Sequence, residues 1–167
     1  SKSQTEKRLI VIMDTTEYEK LLQAAIRFVS YRPRSEKEIR DFLKKKLKKW
    51  KVFGAAAVDK VIARLTELGY VDDAKFAAWW VEQRQTFNPK GKRLIAHELK
   101  AKGVGLDDVN IAVDEVEAAR QAVQKKLSLW EKLPSLEQKK KIYAFLGRRG
   151  FDGETIGSII DEIAGKE

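Results

Sequence analysis

Residues 53–65 read Phe53-Gly-Ala-Ala-Ala-Val58-Asp-Lys-Val61-Ile62-Ala-Arg-Leu65, and the spacing of the apolar residues in this stretch recurs twice along the 167-residue chain. The second copy consists of Val104, Val109, Ala112, Val113 and Val116. The third consists of Phe151, Ile156, Ile159, Ile160 and Ile163. Gaps of three and four residues place side chains on one helix face. A spacing repeated in this way is typical of stacked units that are each too small to bury a core alone.

Each copy follows a basic stretch that carries an apolar pair, namely Ile39 with Leu43, Ile95 with Leu99, and Ile142 with Leu146. Ser35 and Glu38 match a capping box at the start of the first basic helix. We therefore predict an all-α fold of three tandem three-helix repeats, with nine helices in all. The last six of these include helices from about 107 to 116 and from 117 to 132.

The repeats are expected over residues 17–71, 72–116 and 117–167, after an N-terminal segment of residues 1–16. Arg8-Leu-Ile-Val-Ile-Met13 is β-prone, and both a short strand and an extended arm fit it. The first repeat has five extra residues, because Leu43 and Phe53 are ten apart while Leu99 and Val104 are five apart. Leu47 and Trp50 keep the apolar phase through the insertion, which predicts a longer helix.

Composition favours a macromolecular binding partner over small-molecule chemistry. Lys plus Arg number 34 against 25 Asp plus Glu, for a net charge of +9 and a pI near 9.6. This balance suits a polyanion, although a Lys-rich protein kept dispersed by its charge is the alternative. The chain has no cysteine, and no apolar run approaches the roughly 20 residues of a membrane span. No secretory signal is visible, so we expect a cytoplasmic protein without disulfides.

The positive charge is concentrated in the middle helix of each predicted repeat. Residues 32–51 carry ten cations and three anions, residues 84–102 six and one, and residues 139–149 five and none. The third helices are acidic instead. Because stacked repeats place equivalent helices on one side, the middle helices should form a continuous basic stripe. The alternative is a solvated face that neighbouring acids balance.

No residue pattern predicts catalysis, a metal ion or a cofactor. His97 is the only histidine, and its position between Ile95 and Leu99 favours an ordinary surface side chain. Asp72-Asp73 is explained by helix capping. Trp79 and Trp80 could stack on bases, but core packing is favoured for at least one of them.

Four segments of the sequence resemble the RecX family of RecA regulators: Phe28-Val-Ser-Tyr-Arg-Pro-Arg-Ser-Glu-Lys-Glu-Ile39, Leu65-Thr-Glu-Leu-Gly-Tyr-Val-Asp-Asp-Ala-Lys-Phe-Ala77, Val81-Glu-Gln-Arg84 and Gly91-Lys-Arg-Leu-Ile-Ala-His-Glu-Leu-Lys-Ala-Lys-Gly103. Val52 stands where the family usually has a helix-ending glycine. The resemblance implies an elongated, curved, solenoid-like stack. It also implies binding in the groove of the RecA–single-stranded-DNA filament, with modulation, usually inhibition, of ATP hydrolysis and strand exchange by RecA.

We expect a monomer that binds RecA without catalysis of its own, without a cofactor and without a membrane. Direct contact with single- or double-stranded DNA is a further expectation. The alternative is a sequence-independent DNA-binding protein that affects RecA only by competing for DNA. The candidate binding residues are Tyr31, Arg32, Arg34, Lys44, Lys45, Lys48, Arg84, Lys90, Lys92, Arg93, Arg148 and Arg149.

Overall fold

The computed structural model describes residues 2–165 apart from 53 and 108, with side chains from residue 16 onward. Over these residues the regular elements are all helices: α1 (Lys2–Tyr31), α2 (Glu36–Trp50), α3 (Ala55–Glu67), α4 (Asp73–Thr86), α5 (Lys92–Ala101), α6 (Glu115–Gln124), α7 (Leu127–Trp130), α8 (Ser135–Arg148) and α9 (Gly153–Ala164). The all-α prediction is confirmed. Within the same range, no helix is both long and apolar enough to cross a membrane.

The chain divides into two compact units. Unit 1 comprises Ser1–Phe76 with Lys102–Val104, and unit 2 comprises Ala77–Ala101 with Gly105–Glu167. The core of unit 1 joins α1, α2 and α3, and it buries the predicted apolar residues of α3 against those of α2. Phe53, the first member of that pattern, lies outside the described residues. The buried members are Leu21, Ala25, Ile39, Leu43, Leu47, Val58, Val61, Ile62 and Leu65.

The core of unit 2 joins α6, α8 and α9. Phe151, Ile156 and Ile159 from the third copy of the spacing are at most 2% exposed. They pack against Ile142 and Leu146, and small residues of α6 complete the cluster. The apolar spacing therefore predicted the core correctly in the first and third copies.

The second copy does not form the predicted helix. The described residues between Gly105 and Asp114 are irregular, and α6 begins only at Glu115. The Asp114 carboxylate caps α6 by accepting a hydrogen bond from the Glu117 N–H at 3.1 Å. Asp and Asn compete with helical hydrogen bonding, and β-branched valines lose rotamer freedom in a helix. Asp108 lies outside the described residues.

Two further local predictions were wrong. Residues 8–13 belong to α1, so they form neither a strand nor an extended arm. A lone strand has no partner for its backbone groups, whereas a helix satisfies them internally. The single helix predicted over 117–132 is divided into α6 and α7. The described residues therefore form nine helices, as many as predicted. The predicted helix over 107–116 is missing, and the one predicted over 117–132 is replaced by two.

The insertion in the first repeat lengthens α2 as predicted, since Leu47 is 6% exposed and Trp50 packs on the core. The helix ends at Lys51, which adopts the left-handed conformation with φ 56° and ψ 38°. The Val52 N–H then donates to the Leu47 carbonyl at 3.1 Å. Gly69 and Gly150 also take positive φ at helix ends. Lys51, and not Val52, therefore occupies the position that glycine takes elsewhere.

Replacing Lys51 with glycine should stabilise unit 1. A side chain in the left-handed region costs roughly 1 kcal/mol or more, and glycine avoids that cost. We expect K51G to raise the free energy of unfolding by about 1 kcal/mol in urea titrations. Lys49→Gly is the matched control, because it lies inside α2 and should lower the same quantity by about 1 kcal/mol. Equal effects of the two variants would contradict the prediction.

Candidate functional site

In unit 1, a buried carboxylate at the start of α2 binds two basic side chains. The Glu38 side chain is 12% exposed, and its oxygens accept hydrogen bonds from Arg32 at 2.7 Å and Lys102 at 2.9 Å. The Ser35 N–H donates to it at 3.0 Å and completes the predicted capping box. Burial alone would raise the pKa of Glu38, but these three donors together hold the pKa below its ordinary value.

In unit 2, Glu98 of α5 plays the same part. Its side chain is 17% exposed and accepts hydrogen bonds from Arg84 at 2.7 Å, Lys90 at 2.9 Å and the Trp80 indole N–H at 2.8 Å. The Arg84 guanidinium also stacks on the Trp80 ring at 4.5 Å. Burial alone would raise the pKa of Glu98, and the hydrogen bonds from Lys90, Arg84 and Trp80 lower it overall.

These two clusters change the interpretation of three candidate residues. Arg32, Arg84 and Lys90 each neutralise a partly buried carboxylate, so part of their charge is used inside the protein. The sequence carried one sign of this arrangement in unit 2. Glu98 is the only acid among residues 84–102, and a lone acid on a basic helix is well placed to pair with its neighbours.

The paired carboxylates predict an acid-sensitive fold. A lowered folded-state pKa contributes stability above the ordinary value of 4.5, and this contribution is lost as the pH falls below it. We expect E98Q to be less stable than wild type at pH 7, with the difference shrinking toward pH 3 in urea titrations. E82Q, which changes an exposed residue of α4, should follow the wild-type profile throughout. A constant difference for E98Q across this range would contradict the assignment.

Arg34 is held by aromatic packing. Its guanidinium lies 4.0 Å from the centroid of the Phe28 ring, and its Nε donates to the Phe28 carbonyl at 3.3 Å. Phe28 in turn stacks on Phe42 of α2, with ring centroids 4.1 Å apart. This contact fixes the loop between α1 and α2.

The exposed lysine candidates of unit 1 lie on α2. Lys44, Lys45 and Lys48 are exposed. None of the three forms an ion pair with another described residue. The nearby acid is Asp41, whose pKa is lowered first by a hydrogen bond from Lys37 and also by the charges of Lys44 and Lys45. Repulsion among these lysines disfavours the free protein slightly, so a bound anion would relieve it.

In unit 2, the candidates of α5 and α8 come together at one end of each helix. The Gly91 N–H donates to the Arg149 carbonyl at 2.9 Å, and Arg93 donates to the Gly147 carbonyl at 3.3 Å. Arg149 lies 5.0 Å from the Phe145 ring centroid, and Arg148 is exposed. Cations at the end of α8 favour its dipole. Arg93 and Arg148 therefore belong to one basic patch.

Acidic residues border this patch more closely than the charge pattern suggested. Glu115 accepts a hydrogen bond from the Lys92 N–H at 2.7 Å and another from the Thr155 hydroxyl at 3.3 Å. The backbone hydrogen bond from Thr155 lowers the pKa of Asp152, and the charge of Arg93 adds to that effect. The acids thus stabilise the first turns of α5 and α9, while the Lys92 and Arg93 side chains stay exposed.

The remaining motifs agree with structural roles. His97 is exposed, as predicted. Asp72 accepts from the Lys75 N–H at 3.1 Å, and Asp73 accepts from the Glu36 N–H at 2.9 Å, so both carboxylates cap helices. Trp79 and Trp80 are both half-buried. Within the described residues, no group of three or more His, Cys, Asp or Glu side chains could hold a metal ion.

Comparison with known families finds matches along most of the chain. Residues 22–65 match the model of the first three-helix domain of RecX, residues 72–113 that of the second, and residues 113–160 that of the third. In this structure, 72–113 holds α4 and α5 followed by the irregular segment. The predicted fold class of three tandem three-helix repeats is confirmed by these matches, and the bounds 17–71, 72–116 and 117–167 stay a prediction.

Individual proteins agree with the family models. Regulatory protein RecX of Chlorobium phaeobacteroides (strain BS1) is 32% identical over 156 residues, which cover 90% of this chain and 98% of the relative. Regulatory protein RecX of Bacillus subtilis (strain 168) is 34% identical over 161 residues, and the match covers 93% of this chain but 59% of that longer protein. A crystal structure of RecX from Lactobacillus salivarius shares the fold, with a TM-score of 0.75 at 23% identity over 90% of this chain and 98% of the other. The chain therefore belongs to the RecX family of regulatory proteins.

Proposed function

We propose that this chain is a monomeric cytoplasmic regulator that binds the RecA recombinase on its single-stranded-DNA filament and inhibits ATP hydrolysis and strand exchange by RecA. Membership of the RecX family supports the regulatory role. The observation that carries the binding mode is the exposed lysine cluster Lys44, Lys45 and Lys48 on α2. A helix fixed by a buried core can present these charges to a polyanion without further ordering.

The mechanism follows from shape and charge, without bond-making chemistry. Several weak contacts on one chain add through effective concentration when the partner is a repeating fibre. The α2 cluster and the α5–α8 patch (Lys92, Arg93, Arg148) would each contact negatively charged surface of the filament. Arg32, Arg84 and Lys90 would instead act by holding the loops before α2 and α5, through Glu38 and Glu98.

The test is a triple charge reversal, K44E/K45E/K48E, assayed for inhibition of RecA ATP hydrolysis across a salt series. We expect about tenfold weaker inhibition at low salt and a shallower salt dependence, because each lost phosphate contact removes about 0.7 from the slope. The matched control is K20E/K60E/K125E, which alters three exposed lysines with the same change in net charge. Equal inhibition by both variants would overturn the proposed surface.

The competing function, in which the protein acts on RecA only by occupying DNA, rests on the same exposed lysines. It predicts that inhibition disappears when free single-stranded DNA is in excess, whereas direct binding to the filament predicts that it persists. ATP hydrolysis should therefore be measured at limiting and at saturating DNA. A pull-down on RecA with and without single-stranded DNA separates the two contributions to affinity.

A further inference from the structure

A cleft of about 410 Å³ lies in unit 1, between the end of α1, the loop before α2 and the turn that leads into α4. Its polar and aromatic lining includes Tyr31, Arg34, Tyr70, Asp72 and Lys75, together with Arg32, which pairs with Glu38. The volume is that of an ordinary small-molecule site. The proposed function assigns no ligand to this cleft.

Two tyrosines line the cleft with their rings in solvent. Tyr31 is 86% exposed and Tyr70 is 44% exposed. Large aromatic side chains bury most of their area in folded proteins, so two exposed rings beside one cleft are a feature that a partner would use. Gly69, beside Tyr70, has a φ of +80°. No atom lies within 4 Å of the position that a Cβ would take there, so the side of the cleft at Gly69 is open.

Arg34 and Lys75 supply positive charge to the wall of the cleft. Both carboxylate oxygens of Glu38 already accept hydrogen bonds from Arg32, Lys102 and Ser35. Among the described residues no ion pair is recorded for Arg34 or Lys75. The Asp72 carboxylate is engaged in capping the Lys75 N–H. Burial is the first cause that lowers the pKa of Arg34, the neighbouring charge of Arg32 lowers it further, and the charge of Glu38 acts in the opposite direction.

We propose that this cleft binds one nucleotide of single-stranded DNA, with the base stacked on Tyr31 and the phosphate beside Arg34 and Lys75. The inference deepens the proposed function, because it names the strand of the filament as a direct ligand. An aromatic face next to cationic side chains is the usual chemistry of single-strand recognition. A duplex keeps its base faces stacked, and an acidic peptide would use the cations but leave the tyrosines without a role.

The first test measures the binding of a fluorescein-labelled oligothymidylate of twelve nucleotides by fluorescence anisotropy. We expect Y31A to bind roughly tenfold more weakly, since base–aromatic stacking supports an effect of that size. Y31F keeps the ring and should bind within about twofold of wild type. Y143A is the matched control, because Tyr143 is 57% exposed on α8, outside the cleft. Its affinity should equal that of wild type.

Two further measurements examine the other parts of the site. Lys75→Gln should flatten the salt dependence of oligothymidylate binding by about 0.7 in slope, as one lost phosphate contact does. Ultraviolet crosslinking of an oligonucleotide that contains 5-iodouracil, followed by peptide mapping, should mark Tyr31 or Tyr70. Thermal unfolding of every variant should match wild type, because the altered side chains are all exposed.

Four outcomes would overturn the inference. The first two are an unchanged oligothymidylate affinity of Y31A and a crosslink at Tyr143 instead of Tyr31 or Tyr70. The other two are competition by free ATP equal to that by the oligonucleotide, and weakening by Y31A of binding to poly-glutamate but not to the oligonucleotide. Failure of the proposed function gives a different pattern. If wild-type protein binds the oligonucleotide through Tyr31 but does not bind RecA filaments, the cleft stands and RecA regulation fails. If Y31A keeps its oligonucleotide affinity while K44E/K45E/K48E loses inhibition, the cleft fails and the regulation stands.

Discussion

Replacement of Gly91 by alanine should lower the free energy of unfolding of unit 2 by about 3 kcal/mol, because overpacking against backbone leaves no side chain able to move aside. A Cβ at residue 91 would lie 2.1 Å from the Gly150 carbonyl oxygen and 2.4 Å from its carbonyl carbon. The Gly91 N–H also donates to the Arg149 carbonyl. The clash therefore forces the start of α5 away from the end of α8 and breaks that hydrogen bond.

Gly147→Ala is the matched control for this variant. Gly147 lies inside α8, and nothing is within 4 Å of the position its Cβ would take. Alanine should therefore raise the free energy of unfolding by about 0.5 to 1 kcal/mol through helix propensity. Urea unfolding followed by circular dichroism measures both variants. A stabilised or neutral G91A would show that α5 and α8 do not approach as closely as described.

The second large effect is expected for Leu65→Ala in α3. Leu65 is fully buried in the core of unit 1, so truncation loses transfer free energy and leaves a cavity. We expect a loss of about 3 kcal/mol in the free energy of unfolding. The same urea titration measures it, and it should be accompanied by faster amide hydrogen exchange in α1, α2 and α3.

A pair of identical substitutions controls this prediction and tests the corrected second repeat. Val58 and Val109 occupy the same place in the repeated spacing, but Val58 is 2% exposed in α3 whereas Val109 is half-exposed in an irregular segment. V58A should cost about 2 kcal/mol and V109A about 0.5 kcal/mol or less. Equal losses would indicate that residues 107–116 form a buried helix after all.

The repeated spacing predicted cores well and helices less well, for a physical reason. Apolar periodicity reports which face is buried, and in α3 it coincides with strong helix formers such as Ala55, Ala56 and Ala57. In residues 104–116 the same gaps occur among Asp107, Asn110 and Asp114, whose side chains compete for backbone hydrogen bonds. The spacing survives there while the helix does not, because local propensity opposes the helix.

The candidate binding residues were chosen from net charge, which cannot distinguish a solvated cation from one that neutralises a carboxylate. The distinction for Arg32 depends on Glu38, and for Arg84 on Glu98, so it requires the three-dimensional contacts. The capping box at Ser35 and the exposure of His97 followed from local rules and are confirmed. The cleft beside Tyr31 could not be predicted, since it depends on the turn after α3, which is distant in sequence.

The first turns of α2 and α5 are capped by carboxylates that come later in the chain. The Glu36 N–H donates to the carboxylate of Asp73, 37 residues downstream, and the Lys92 N–H donates to the carboxylate of Glu115, 23 residues downstream. At a synthesis rate of about 5 to 20 residues per second, each basic helix emerges roughly 1 to 7 s before the distant carboxylate that binds its first N–H. During that interval the Ser35 capping box already covers the Glu38 N–H of α2, while the Glu36 N–H does not yet have the Asp73 carboxylate as its acceptor. Vectorial synthesis therefore makes the acidic caps the step that completes each nascent helix.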